Sequence, residues 1–264
     1  MRRVLTIAIT ALAAGLCACS QMSVRDNAGS SPGAEGTQPL SSTAQKARVF
    51  TDLSAAYFQR GQFKVALENV RKAISEDSRY GPAYNVLGLI YMELAEDQLA
   101  EENFRKAVEL DRADSEAHNN YGWFLCTRGR YDEGLAQFTD ALRNPLYSTP
   151  EKSMSNAGLC NEKKGEMAKA EASFIKALKL QPDYPLALLS LAKLKYKQAK
   201  LEESLRLLTR YHDVAPATAE SLWLGVQLER KLGDKDKQAE FAAQLHKSFP
   251  DSHEDNLMTS GQYE

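Results

Sequence analysis

The chain lacks the residue patterns that mark most enzymes and most nucleic-acid-binding proteins. Neither a glycine-rich phosphate loop nor a Gly-x-Ser-x-Gly turn occurs, and the formal charge of the 264 residues is only −2, which argues against a polyanion-binding surface. The few histidines form no pair at helical spacing beside a glutamate, as a zinc hydrolase would require. They are His118, His212, His246 and His253. We therefore predict no enzyme activity, metal, cofactor, nucleic-acid partner or small-molecule substrate.

Long apolar runs are also scarce, and the one at the amino terminus is too short to span a bilayer. It covers residues 4–16 and follows Arg2 and Arg3. It ends in Leu16-Cys17-Ala18-Cys19, which resembles the bacterial lipoprotein signal, with Cys19 as the lipidated first residue after cleavage. Cys17 fits less well, because Leu16 would stand where a small residue is needed. An ordinary secretory signal with incidental cysteines is the alternative.

The lipoprotein resemblance implies a location for the rest of the chain. Residues 1–18 would be removed, and residues 19–45, rich in Ser, Gly, Ala and Thr, would form a flexible tether. Ser20 follows the cysteine, and the absence of Asp there implies transport to the outer membrane of a Gram-negative cell. We expect a lipid-anchored protein on the periplasmic face of that membrane.

Cysteine is rare, with four in the chain. Once the signal is removed and Cys19 carries lipid, only Cys126 and Cys160 remain to pair. Because thiols in an oxidising compartment tend to form disulfides, we predict a bond between them. Two separate buried thiols are the alternative.

No segment shows the alternating pattern of a strand, whereas small residues recur with a period of 34, apart from one slip of two residues. This recurrence resembles the tetratricopeptide repeat, a helix pair whose close crossing admits only Gly, Ala or Ser. The fold class predicted is an all-α superhelix with a concave groove. The series are Gly88, Gly122, Gly158 and Ala192; Ala66, Ala100, Gly134, Ala170 and Ser204; and Ala73, Ala107, Ala141 and Ala177.

The period divides residues 46–252 into a solenoid and leaves residues 253–264 as a carboxyl-terminal tail. Glycines at one repeat position mark the turn between the two helices of a unit, where a left-handed backbone favours glycine. Ala95 and Ala199 occupy that position in two units. The turn glycines are Gly61, Gly129, Gly165 and Gly233, and the units lie near 47–80, 81–114, 115–148, 151–184, 185–218 and, in degenerate form, 219–252.

Positions around the small residue of each first helix should line the concave side and bind a partner. Asparagine offers donors and acceptors to the backbone of an extended peptide, and tryptophan offers contact area. The alternative is that these asparagines brace neighbouring helices and that the tryptophan packs between units. The predicted groove residues are Leu89, Met92, Asn119, Asn120, Trp123, Asn156 and Leu159.

Residues 118–160 carry features that generic repeats do not need, namely the paired asparagines and the Asn144-Pro145-Leu146-Tyr147 link. Together with the lipoprotein signal, they resemble the type IV pilus biogenesis and stability lipoproteins, the PilF/PilW family. This resemblance implies a six-repeat outer-membrane lipoprotein, a pilotin that helps the pilus secretin reach the outer membrane and form its multimeric pore. A repeat lipoprotein of outer-membrane protein assembly or of cell-wall synthesis regulation is the alternative.

Overall fold

Helices form all the regular secondary structure between residues 42 and 263, the part of the chain that this computed structural model describes. The all-α prediction is confirmed there. None of these helices is long and apolar enough to cross a lipid bilayer. The predicted signal peptide, Cys19 and nearly all of the predicted tether lie outside the described residues.

The helices come in consecutive pairs, each made of a first and a second helix that pack closely together. Every first helix also contacts the first helix of the next pair, so the pairs stack in chain order. The pairs are α1 (Ser42–Gln59) with α2 (Phe63–Glu76), α3 (Gly81–Glu93) with α4 (Asp97–Leu110), α5 (Ser115–Thr127) with α6 (Tyr131–Ala141), α7 (Pro150–Lys164) with α8 (Met167–Leu180), α9 (Pro185–Lys197) with α10 (Leu201–Val214), and α11 (Ala219–Leu232) with α12 (Lys235–Ser248).

The small-residue series is explained by an aromatic ring from the second helix. A β-carbon added at Gly158 would lie 2.5 Å from the ring of Phe174, and one added at Gly122 would lie 2.9 Å from the ring of Phe138. These separations are shorter than carbon atoms tolerate, so any larger side chain would push the two helices apart. Both phenylalanines are buried, Phe174 in the core cluster formed with α9 and α10 and Phe138 in the cluster that contains both cysteines.

The turn between the helices of each unit has a left-handed residue, as the turn glycines predict. Gly165 and Gly233 both have φ of 87°, and the alanines at the same position, Ala95 and Ala199, have φ of 58°. An L-residue with a β-carbon is strained in this conformation by about 1–2 kcal/mol. The repeat geometry therefore overrides the local preference of these two alanines.

Two helices begin earlier than the sequence boundaries. Helix α1 starts at Ser42, inside the segment assigned to the tether, and the side chain of Ala47 is fully buried. Helix α7 starts at Pro150, a residue assigned to the link. Proline suits this place because the first helical N–H needs no partner within the helix and its φ is already fixed near the helical value.

The helix crossing of the sixth unit lies one residue earlier than the assigned register places it. A β-carbon added at Gly225 would lie 2.7 Å from the ring of Phe241, which repeats the Gly–Phe contact of the earlier units at the same separation of 16 residues. A unit counted from residue 219 places Val226, not Gly225, at the small-residue position. The crossing is therefore displaced by one residue, whereas the turn residue Gly233 stays 34 residues after Ala199 and keeps the assigned register.

The predicted carboxyl-terminal tail is not extended but forms a short helix, α13 (His253–Thr259). It contacts α11 and α12, the two helices of the sixth unit, and covers part of their surface. Asp255 is buried and both its oxygens lie 3.1 Å from Nδ1 of His246. This segment therefore serves as the terminal cap that a repeat array requires.

Candidate partner-binding groove

The first helices contact one another in succession and form the inner face of the superhelix, which we call the groove. Helices α3, α5 and α7 make up its central part. The asparagines predicted for the groove all lie on the facing sides of these helices, as their contacts show. Leu89 and Met92 come from α3, Asn119, Asn120 and Trp123 from α5, and Asn156 and Leu159 from α7.

A chain of hydrogen bonds crosses the groove floor and joins three successive repeats. Asn120 Nδ2 donates to Asn85 Oδ1 of α3 at 3.1 Å, and Asn119 Nδ2 donates to Asn120 Oδ1 at 3.3 Å. On the other side, Asn119 Oδ1 accepts from Asn156 Nδ2 at 3.0 Å and from Ser153 Oγ at 2.9 Å. Because a buried amide without partners is costly, this chain holds α3, α5 and α7 in one relative position.

This arrangement favours the alternative stated for Asn119. Its side chain is only 1% exposed and its amide is hydrogen-bonded to Ser153 and Asn156, so it braces the groove floor. Asn120 and Asn156 are half-buried and take part in the same chain of bonds. Asn85 was not predicted, although it stands 34 residues before Asn119 and the period could have identified it.

Glu116 forms a second polar centre beside the asparagines and ties α5 to the start of α7. Its carboxylate accepts from Lys152 Nζ at 2.7 Å and from Thr149 Oγ1 at 2.9 Å. Burial raises the pKa of Glu116, but the charge and hydrogen bond of Lys152 and hydrogen bonds from Thr149 and Tyr147 outweigh burial and leave that pKa below its usual value. The carboxylate is therefore held in its charged form.

The link between α6 and α7 owes its conformation to this polar centre. Tyr147 OH lies 3.2 Å from Ser153 Oγ, and burial raises the pKa of the phenol. Asn144 Nδ2 donates to the carbonyl of Ala113 at 3.1 Å. Leu146, between them, is 88% exposed. The link thus fixes its polar residues against the preceding and following repeats and leaves one leucine facing solvent.

The apolar residues predicted for the groove are half-buried, so each keeps a surface that a partner could contact. Leu89 and Met92 pack on a core cluster that contains Phe104 and Tyr121. Trp123 packs on the cluster that contains both cysteines, and Leu159 packs on the next cluster toward the carboxyl terminus. The groove therefore offers separated apolar contacts along a polar, rigid floor.

The two cysteines predicted to pair are joined by a disulfide that links α5 and α7. Their Cα atoms are 5.6 Å apart and the sequence separation is 34. Cys126 is 1% exposed and Cys160 is fully buried. A β-carbon at Gly134 would lie 2.4 Å from Cys126 Sγ, so the small residue of α6 makes room for the bond. The disulfide and the asparagine chain fasten the same pair of first helices.

Between residues 42 and 263, no three residues among His, Cys, Asp and Glu converge as a metal site would require. The polar residues of the groove instead bond to one another across helix boundaries. Their arrangement is that of a scaffold surface.

Comparison with known proteins shows which proteins this chain resembles. Sequence profiles of the tetratricopeptide repeat match residues 81–114, 103–136 and 125–185. The type IV pilus assembly protein PilF of Pseudomonas aeruginosa is 28% identical over 204 residues, which cover 77% of this chain and 81% of PilF. The solved structure of PilF superposes with a TM-score of 0.75 over 84% of this chain and 100% of that one. The structure of PilW, a widely conserved type IV pilus biogenesis factor, superposes with a TM-score of 0.73 at 32% identity, over 81% of this chain and 99% of PilW.

The chain belongs to the PilF/PilW family of type IV pilus biogenesis factors. The resemblance predicted from residues 118–160 is therefore confirmed. The superposition spans the whole length of both solved relatives, so the solenoid matches theirs along its full extent. Tetratricopeptide proteins outside the family, such as one from Parabacteroides merdae at 15% identity, share the fold.

Proposed function

We propose that this protein is a pilotin, a lipid-anchored scaffold at the periplasmic face of the outer membrane. It binds the type IV pilus secretin and promotes secretin localisation and multimerisation there. The observation that carries the proposal is the match to PilF and PilW over their whole length, because a shared solenoid of the same extent provides the same kind of protein-binding surface.

The amino-terminal sequence supports the anchored part of the proposal. Cys19 follows Leu16, Cys17 and Ala18, the arrangement of small and apolar residues that lipoprotein processing requires. A single acyl chain binds a membrane only marginally, whereas two or more give stable attachment. A lipoprotein anchor would therefore keep the solenoid at the membrane while residues 20–41 allow it to reach a partner.

The groove supports the binding part of the proposal. Its floor is rigid because the asparagine chain and the disulfide both fix α5 against α7. A rigid surface loses less conformational entropy when a partner binds, which favours affinity. Leu89, Met92, Trp123 and Leu159 supply the apolar contacts.

The test is a membrane-fraction blot for heat-resistant secretin multimers in wild-type cells and in a deletion strain. We expect multimers to be lost on deletion and secretin monomers to accumulate or be displaced. Unchanged multimers would refute the pilotin role and favour a scaffold of another envelope complex.

Two cysteine variants separate the anchor from the repeats. Cys19→Ala should abolish lipid attachment, as measured by incorporation of labelled fatty acid, whereas Cys17→Ala leaves Cys19 in place and should be lipidated normally. Ser20→Asp should retain the lipidated protein at the inner membrane and reduce secretin multimers at the outer membrane. Normal lipidation of Cys19→Ala would contradict the proposed anchor.

A further inference from the structure

A pocket of about 280 Å³ lies at the carboxyl-terminal end of the groove, between α9, α11 and α13. Its apolar walls are Tyr196, Trp223, Leu224 and Leu257. Trp223 is held in place by a stacked contact with Tyr263, with ring centroids 5.4 Å apart. The pocket lies below the size range of ligand sites for drug-sized molecules, roughly 300–1,000 Å³, and suits one or two side chains of a protein partner.

A row of cations lies in the last turns of three first helices, and one of its members, Lys197, lines this pocket. Lys163, Lys197 and Lys231 stand 34 residues apart and belong to the last turns of α7, α9 and α11. Glu93 and Thr127 occupy the same repeat position in α3 and α5, whose last turns contain no basic residue. The row is therefore confined to the half of the groove that contains the pocket.

Part of this charge is uncompensated. Lys197 pairs with Glu162 at 2.7 Å, but within residues 42–263 neither Lys163 nor Lys231 forms an ion pair. Lys197 itself lines the pocket, and Lys231 Nζ lies 4.3 Å from the ring centroid of the pocket residue Tyr196. Two of the three lysines therefore adjoin the pocket. The positive charges of Lys163 and Lys231 remain available to a carboxylate of a partner.

Two acidic residues, Glu220 and Glu254, also line the pocket. Glu220 is in the first turn of α11 and pairs with Lys193, and Glu254 is in the first turn of α13. Cations at helix ends also stabilise the helix dipole, but α3 and α5 end without them, so the fold does not need the row. Among the residues that line the pocket, Lys197 lies in the last turn of α9 and Glu220 in the first turn of α11, and this separation of charge would set the direction of a charged ligand.

We infer that this end of the groove binds a linear acidic segment of a protein partner. One bulky apolar side chain enters the pocket between Tyr196, Trp223 and Leu257, and carboxylates beside it contact the row of Lys163, Lys197 and Lys231. Charge along the row orients the segment, and the pocket provides apolar contact area. The inference does not require the partner to be the secretin and so is independent of the proposed function.

The chain contains two tryptophans, and this allows binding to be located as well as measured. In full-length protein purified in mild detergent, Trp123→Phe leaves Trp223 in the pocket as the single tryptophan. The probe is a fluorescein-labelled peptide of about twelve residues, the length of a typical extended recognition segment, with adjacent leucines followed by a run of glutamates. A second probe has glutamines in place of the glutamates. Binding should change Trp223 emission, and the acidic probe should bind about tenfold more tightly at low salt.

The double substitution Lys163→Glu with Lys231→Glu should remove this preference for the acidic probe. Its matched control is Lys179→Glu with Lys247→Glu, which makes the same change in net charge at exposed lysines of second helices. The control should retain the preference within about twofold. Equal affinity for both probes, equal loss in the control, or binding without a change in Trp223 emission would each overturn the inference.

Discussion

Reduction of the Cys126–Cys160 disulfide should weaken the interface between the third and fourth repeats more than any other part of the solenoid. The bond joins α5 to α7 across 34 residues, and both cysteines are buried in a cluster with Phe138. In a repeat array, stability is the sum of unit and nearest-neighbour terms, so a bond between neighbours strengthens one interface.

The loss of stability on reduction can be calculated from the length of the loop that the Cys126–Cys160 disulfide closes. A cross-link over a loop of this length lowers the entropy of the unfolded chain by an amount equivalent to about 3–4 kcal/mol at 25 °C. This is a large share of the roughly 5–15 kcal/mol by which native domains are stable. With a urea dependence of about 2–3 kcal/mol/M, the unfolding midpoint should fall by roughly 1–2 M.

The assay compares oxidised protein, reduced protein and the double variant Cys126→Ala with Cys160→Ala in urea unfolding. Hydrogen exchange should then locate the weakened region, with faster exchange in α5–α8 and smaller changes in α1 and α2. A midpoint shift below about 0.3 M, or a uniform increase in exchange along the chain, would refute the loop-entropy reasoning.

The remaining predictions concern the turns and the polar centre beside the groove. Ala199→Gly should raise the free energy of unfolding by about 1 kcal/mol, because it relieves a left-handed alanine, and Gly165→Ala, where an added β-carbon meets no atom within 4 Å, should lower it by a similar amount. Thermal melts will measure both changes, and a stabilising Gly165→Ala would contradict the turn argument. The pKa of Glu116 is depressed, so its contribution to stability is present at neutral pH and lost as pH falls through that lowered value, below 4.5. Glu116→Gln should therefore lose less stability than wild type between neutral pH and about pH 3, and equal acid sensitivity would contradict the assignment.

The fold could be predicted from sequence because each close helix crossing requires a small residue, and these residues recur at a fixed period. Gly88, Gly122 and Gly158 face buried phenylalanine rings at distances that exclude a β-carbon, so glycine returns at the crossing of these three units. Ala192 takes that place in the fifth unit, where Leu208 replaces the phenylalanine. The left-handed turn between the helices of a unit could also be predicted from the period. Ala95 and Ala199 adopt this conformation because they occupy the repeat position of the turn glycines.

The groove floor could not be predicted in the same way. Whether Asn119 faces a partner or a neighbouring helix depends on residues 34 and 37 positions away, Ser153 and Asn156, and on how closely α5 and α7 approach each other. The residue type is compatible with both roles. Only the packed first helices distinguish a bracing asparagine from a binding one.

The structure of the carboxyl-terminal end could not be predicted from the sequence for a different reason. Helix α13 has only seven residues, about half the length of a repeat helix, so it carries no periodic signal. In the last unit Gly225 and Phe241 retain the crossing, but the other small-residue positions are lost and the crossing lies one residue earlier than the period places it. The pocket at Trp223 exists only because α13 folds back on α11.

Direct binding of the secretin is the most decisive measurement for the pilotin account. Full-length protein immobilised in mild detergent would be titrated with purified secretin monomer from the same organism, with an unrelated outer-membrane protein as control. The account predicts saturable binding with a Kd of about 1 µM or tighter, equivalent to roughly 8 kcal/mol, and no binding of the control. Absence of saturable binding to the secretin would contradict it.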